Sequence, residues 1–344
     1  MESRTKVAII GSVGIPARYG GFETLVHHLV LNLADRYELT VFNSGKVYQA
    51  EDRVESWQGA KMEYLPLQAN GIQSIPYDLL SMQKALSRAE VWIILGVSGC
   101  MALPIVRRLF PRKKLIVNID GLEWRRPKWG KRAKAFLHWS EGIAVRNAHK
   151  IVADNQGILE YVQQAYDRQA VDMIAYGGDH VQRPEILPAD LAKFPFLDGK
   201  YTANVARIEP ENNLHVMLEA YAQFTGYPLA MVGNWEASAY GRDLKAAYQE
   251  LPHLFLIDYI ADQRLLDVIR SHAWVYLHGH SAGGTNPALV EAMNLGRAVL
   301  AFDVNFNRYS TQEEAMYWAN AEELLQALRA MDAQQQTELG NRML

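Results

Sequence analysis

The sequence predicts an α/β protein of two tandem, doubly wound domains, each a largely parallel sheet with helices on both faces. Three observations carry that expectation. A chain of 344 residues is too long for one comfortable core and suits two domains of roughly 150 to 180 residues each. Short apolar runs alternate with helical patterns through both halves, the order that right-handed crossovers between parallel strands demand. Between the halves, Gly177 to Gly199 loses periodicity and carries three prolines, so the linker is placed there. The domains are drawn at 1–178 and 179–344, and two Rossmann-like domains in tandem imply a cleft.

The first strand is KVAIIG, Lys6 to Gly11, followed by a helix from about Phe22 to Ala34. ELTVFN (Glu38 to Asn43), KMEYLP (Lys61 to Pro66), VWIILG (Val91 to Gly96) and KLIVNID (Lys114 to Asp120) come next. Each is a short apolar run of the kind that parallel strands show when both faces are covered. HKIVADN (His149 to Asn155) and VDMIAYG (Val171 to Gly177) complete the half. The order restarts with KYTANVAR (Lys200 to Arg207), PLAMVGN (Pro228 to Asn234) and HLFLIDYI (His253 to Ile260). AWVYLHG (Ala273 to Gly279) and RAVLAFD (Arg297 to Asp303) are the last strands. An amphipathic helix at about Ala321 to Met331 leaves little chain for the closing helix that two-domain folds of this type send back to the first domain.

Composition narrows the function. Hydrophobic residues make up 49% and charged residues 21%, which is ordinary globular usage. A net charge of -3 argues for no nucleic-acid partner. Cys100 is the only cysteine, which excludes internal disulfides and a cysteine-clustered metal site and leaves a buried small apolar residue as its ordinary role. The start has no signal-peptide pattern, so a cytoplasmic location is expected. No apolar run is long enough to span a bilayer, so any membrane contact is peripheral. No Asp-x-Asp occurs, and His27, His28, His278 and His280 show no metal-ligand spacing. The site is expected to need no metal and no separate cofactor.

Four segments carry candidate chemistry. GSVGIPARYGGFET, Gly11 to Thr24, is a glycine-rich turn between the first strand and first helix, where backbone N–H groups and the helix N-terminus suit a diphosphate. Its spacing is not G-x-G-x-x-G, and the second strand ends in Phe42 and Asn43 instead of an acid, which disfavours a dehydrogenase; a tight loop without a ligand is the alternative. ARIEPENN, Ala206 to Asn213, ends a strand on the carboxyl edge of the second sheet. Arg207 is there placed to reach a phosphate, or else is a solvated surface arginine. HGHSAGGTNPALVEAMNLGRAVLAFD, His278 to Asp303, passes from a glycine-bearing loop through Pro287 into a helix. Glu291 on that helix suits a ribose hydroxyl and the N–H groups from Gly283 to Asn286 suit a sugar or phosphate, unless Glu291 only stabilises the helix N-terminus. The fourth, NIDGLEWRRPKW at Asn118 to Trp129, offers Asp120 and Glu123 to orient an acceptor hydroxyl or accept its proton. Arg125 and Arg126 suit an acceptor phosphate, helix-start capping by the acids being the alternative.

Taken together these segments resemble the retaining glycosyltransferases of GT-B family 4 and, in detail, their bacterial β1,4-L-rhamnosyltransferase-type branch. The resemblance covers nearly the whole chain and rests on GIPARYGGFET, NIDGLEWRRPKW, ARIEPENN and HSAGGTNPALVEAM. It implies diphosphate contacts from the Gly20 and Gly21 backbone and from Arg207, ribose contact from Glu291, and Tyr259 and Ile260 near the base. Two departures stand out. The family's Arg-x4-Lys has Asn212 at its second position, and its Glu-x7-Glu has Gly283 where the first glutamate stands. Donor-sugar recognition is therefore assigned to Thr285, Asn286 or backbone groups around Gly283 and Gly284.

The function this implies is transfer of a sugar, best L-rhamnose from dTDP-L-rhamnose, to a lipid-linked or saccharide acceptor in cell-surface polysaccharide synthesis. The resemblance implies retention, with the leaving phosphate helping to deprotonate the acceptor and Asp120 acting as a positioning group. From Trp124 to Trp139 six cations and no acid alternate with aromatics, a pattern that suits an anionic membrane surface and a lipid-diphosphate acceptor, or else a solvated helix face over core tryptophans. A nucleotide-sugar 2-epimerase of the same fold and a non-catalytic nucleotide-sugar-binding protein are the rival readings.

Overall fold

The computed structural model describes residues 4–18, 20–126 and 129–344; Lys128 of the basic run and Tyr19 and Pro127 of the quoted motifs lie outside them. The chain forms two compact units, one running to Ala175 and one from Tyr176 to Leu344.

The first unit contains β1 (Lys6–Ile10), α1 (Gly21–Leu33), β2 (Glu38–Ser44), β3 (Ser56–Trp57), β4 (Ala60–Leu65), α2 (Ser74–Ala85) and β5 (Val91–Leu95). It continues through α3 (Leu103–Leu109), β6 (Lys114–Asn118), α4 (Lys131–Asn147), β7 (Lys150–Ala153), α5 (Gln156–Tyr166) and β8 (Asp172–Met173). Its strand order is β3-β4-β2-β1-β5-β6-β7-β8. The pairings are parallel except β3 with β4. That antiparallel hairpin turns on Gln58 and Gly59, both with positive φ, the backbone that two-residue hairpin loops favour. A two-residue strand is too short to show alternation, and the sequence gives no sign of it.

The second unit contains α6 (Pro188–Lys193), β9 (Thr202–Val205), α7 (Leu214–Tyr221), β10 (Leu229–Val232), α8 (Ala239–Tyr248), β11 (Leu254–Ile257), α9 (Gln263–Ser271) and β12 (Val275–His278). It ends with α10 (Pro287–Asn294), β13 (Ala298–Phe302), α11 (Asn305–Ser310), β14 (Met316–Trp318), α12 (Ala321–Ala330) and α13 (Ala333–Arg342). The order is β11-β10-β9-β12-β13-β14, all parallel. Strand alternation sends Leu229, Met231, Val275 and Leu277 to one core and Ala230, Val232 and Tyr276 to the other, so both faces are covered and the strands read as continuous apolar runs.

Two expectations are corrected here. The segment from Gly177 to Gly199 is part of the second unit: it holds α6, and Phe194, Phe196 and Leu197 are buried in that unit's core. Arg264 clamps Asp190 of α6 with two hydrogen bonds of 3.0 and 2.5 Å. The chain also has a further helix, α13, whose Leu339 enters the second unit's core. Its Gly340 lies so close to Gly296 that an added Cβ would sit 2.5 Å from the Gly296 carbonyl oxygen.

Candidate functional site

In an open parallel sheet, ligands bind beyond the carboxyl ends of the strands, where the strand order reverses. In the second unit that point is between β9 and β12. The loop after β9 carries Arg207 and Asn212, and the loop after β12 carries His280 to Asn286. The structure brings these two predicted segments together and stitches them. Asn212 Nδ2 donates to the Arg207 carbonyl and its Oδ1 pairs with His280 Nδ1, both at 2.7 Å. The Ser281 N–H and hydroxyl both donate to the Glu211 carbonyl, at 2.8 and 2.9 Å. Asn213, held in the left-handed region, donates to the Gly279 carbonyl at 2.8 Å. Asn212 is buried and both ends of its amide are engaged. The direct donor contact expected of it gives way to a role in fixing the loop that presents Arg207.

Arg207 itself stays accessible, with 37% of its side chain exposed and Glu209 at 4.0 Å. Beyond Gly284, whose φ of 93° suits glycine alone, Thr285 is buried and Asn286 caps α10 by accepting from the Ala288 N–H at 3.0 Å. With Pro287 at the first helical position, this is a complete helix start.

Glu291 lies on the inner face of α10, buried beside Leu289 and Ala292. Its carboxylate takes an ion pair from Arg270 and a hydrogen bond from His180 Nε2 at 3.1 Å. Arg270 is 2% exposed and also meets Asp267 at 3.3 Å, so one buried cation faces two acids. Burial, then the positive Arg270, hold His180 below the usual histidine range, so its ring is neutral at pH 7 and donates one N–H. Each carboxylate oxygen of Glu291 keeps a lone pair for a further donor. His180 and His280 carry no local signal in the sequence, because their partners lie far along the chain, and Arg270 meets Glu291 only through the fold. Tyr259 is 45% exposed in the loop after β11, and Ile260 packs against the core.

In the first unit the reversal falls between β1 and β5, and the glycine-rich turn after β1 sits there. Gly11 permits the approach of β5, since a Cβ would lie 2.1 Å from the Leu95 carbonyl oxygen. Asn43 accepts from the Ile15 N–H at 2.9 Å, and Tyr77 donates to the Ser12 carbonyl at 3.0 Å. The asparagine that stands where a dinucleotide-binding acid is absent thus holds the turn. At the anion seat expected of Gly20 and Gly21, the buried Glu23 carboxylate takes the Val13 N–H at 2.7 Å and lies where a Cβ on Gly20 would collide, so Gly20 makes room for it.

The NIDGLEWRRPKW segment is likewise more self-contained than expected. Glu123 accepts from Trp129 Nε1 at 2.9 Å and pairs with Arg126 at 2.8 Å, and Arg126 is buried. Glu123 and Arg126 thus brace the loop that carries the segment. The Arg125 guanidinium stands over the Trp124 and Tyr161 rings at 5.0 and 5.5 Å. Tyr161 and Tyr166 both donate to the buried Glu141, at 2.6 and 2.7 Å. Asp120 follows β6 in the left-handed region, φ 65°, with its N–H on Asn118 Oδ1 at 2.9 Å, a strained placement of the sort found at functional positions.

Comparison with known proteins fits this geometry. Residues 190–337 match glycosyl transferases group 1. Sucrose-phosphate synthase from Thermosynechococcus elongatus superposes with TM-score 0.82 at 15% identity, covering 99% of this chain and 93% of that one. HepE from Anabaena in complex with UDP gives TM-score 0.73 at 15% identity, covering 98% and 93%. A Listeria monocytogenes protein provisionally described as a UDP-N-acetylglucosamine 2-epimerase gives 0.63 at 15%, covering 99% and 91%. At these identities the likeness is one of fold. No curated protein matches the chain in sequence. The fold is GT-B, two Rossmann-like α/β units, and the protein is a glycosyltransferase. Residues 4–179 match the family described as a domain of unknown function, DUF1972, and the chain belongs to that family.

Proposed function

We propose that this glycosyltransferase transfers a sugar from a nucleoside-diphosphate donor, for which we favour dTDP-L-rhamnose, to a hydroxyl of a lipid-linked or saccharide acceptor, with retention and without a metal. The pairing of the Arg207 and His280–Asn286 loops at the strand-order reversal carries this reading. As the anomeric C–O bond breaks, negative charge grows on the diphosphate. Arg207, on a loop fixed in advance, stabilises that charge without reorganisation. Glu291, oriented by Arg270 and His180, accepts from the ribose, and Tyr259 and Ile260 border the base. The amides around Gly283 and Gly284, with Thr285, read the sugar. Asp120 positions the acceptor hydroxyl, and Arg125 meets its phosphate. The bound UDP named for HepE supports a nucleotide in this fold, while the sugar and acceptor rest on the motif resemblance. Among the described residues no helix is long and apolar enough to cross a membrane; we assign the anionic-surface contact to the Trp124 to Trp139 stretch, whose Lys131, Arg132 and Trp139 are exposed on the first half of α4.

The epimerase likeness supplies a second reading, and one assay separates the two. Incubation with a panel of nucleotide sugars, with and without a lipid-linked saccharide acceptor, is expected to release nucleoside diphosphate in an acceptor-dependent manner. Epimer formation without release would select the rival.

A further inference from the structure

The helix α3 has an unusual surface. Leu103 and Val106 are buried beneath it, as a helix on a sheet requires, but its outward side is also apolar: Ile105 and Leu109 are 62% and 63% exposed, flanked by exposed Met101 and Phe110. Ile105 and Leu109, four residues apart, share one side of the helix, and Met101 in the 3-10 turn just before α3 is exposed next to them in sequence. A helix that is apolar on both sides is ordinarily covered on both.

The charge around these residues has one sign. From Val91 to Ile119 the chain carries Arg107, Arg108, Arg112, Lys113 and Lys114 and no acid. Lys113 donates to the Leu86 carbonyl at 2.6 Å and lies near Glu90, and Arg107 donates to the Asn147 carbonyl at 3.0 Å. Arg108, Arg112 and Lys114 are exposed. Beside α3 runs α4, joined to it by that Arg107 bond, while Ser140 Oγ near the middle of α4 donates to the Val97 carbonyl, in the turn after β5, at 2.6 Å. Trp139, 51% exposed, precedes Ser140.

We infer that the exposed apolar residues at α3, Met101, Ile105, Leu109 and Phe110, are the apolar part of a surface that seats the first unit on an anionic lipid bilayer. The apolar side chains enter the acyl boundary while Arg108, Arg112 and Lys114 extend their stems to the lipid phosphates. A second copy of this chain is a poor occupant, because two such faces would set cations against cations. The inference rests on the proposed function only in its choice of partner; exposure and charge carry it. It adds a surface that the Trp124 to Trp139 pattern did not include.

The test uses the full chain and vesicles of phosphatidylcholine alone or with about one third phosphatidylglycerol. Wild type is expected to float with the anionic vesicles only, and less at high salt. The variant Ile105→Ser with Leu109→Ser is expected to lose binding on the order of tenfold or more, with an unchanged thermal unfolding curve. Ile105→Cys, labelled with an environment-sensitive dye while buried Cys100 stays unreactive, should blue-shift on anionic vesicles. Three results would overturn the inference. Anionic binding with neither the double variant nor the dye responding would leave contact to α4 alone. No binding at all would remove the bilayer as partner. A dye shift that depends on protein concentration without vesicles would point to self-association. The donor reading is scored separately, by nucleoside diphosphate release.

Discussion

Glu291 shows how much of a site can depend on residues outside any motif. Arg270 and His180 hold its two oxygens, and removing either partner of a buried pair leaves an uncompensated polar group. Arg207 and Glu291 were legible because they sit beside glycine, proline and helix-start signals. Their supports were not, because His280 lies 68 residues from Asn212 and His180 lies 111 from Glu291. Two further buried residues set pH dependence. Burial pushes Asp78 up to about 8, opposed only by the Gly99 N–H. Its folded pKa exceeds the unfolded one, so its contribution is present at acid pH and is lost as pH rises toward 8. Burial drives His278 down to about 3, so its contribution is present above about 6.5 and is lost as pH falls toward 3. Denaturant unfolding across pH 4 to 9 should then find Asp78→Asn flattening the limb that falls between about pH 4 and 8, and His278→Leu the limb that rises from the acid side up to about 6.5, each by up to a few kcal/mol. An unchanged limb would count against the assigned group.

At the scale of elements, the turn after β12 is the most constrained. A Cβ on Gly279 would lie 2.1 Å from the Asn212 carbonyl oxygen, so this glycine is what lets the two donor loops touch. Gly279→Ala is expected to cost about 1–3 kcal/mol, as overpacking does, and to weaken nucleotide binding by separating His280 from Asn212. Full stability and affinity in this variant would refute the stitched-loop description. The long parallel strands were readable because burial on both faces makes them continuous apolar runs. The α6 segment was hidden by its three prolines, although Pro188 and Pro195 stand at helix starts. In α13 the run AQQQTELGNR is polar apart from Leu339 and small residues, so it has no apolar stripe to read. The glycine-rich turn is legible as a strand-to-helix loop from its glycines, whereas the Glu23 carboxylate that braces it against the Val13 N–H shows only in the fold.

For the molecule as a whole, the two units share an architecture but not a chemistry. Each reverses strand order once beside its first strand. The first unit braces the turn at its reversal point with Asn43 and Glu23 and carries the basic, apolar surfaces of α3 and α4. The second keeps Arg207 accessible and holds Glu291 buried between Arg270 and His180. We therefore propose that nucleotide recognition belongs to the second unit. Thermal unfolding with dTDP, UDP, GDP and ADP tests it most directly, since a ligand that binds only the folded state raises the midpoint. We predict that one of these, dTDP foremost, stabilises the wild type, and that Arg207→Ala needs roughly ten- to a hundredfold more nucleotide for the same shift, the loss of one charge-assisted contact of about 1.5–3 kcal/mol. Stabilisation by none of the four, or an Arg207→Ala response equal to wild type, would contradict it.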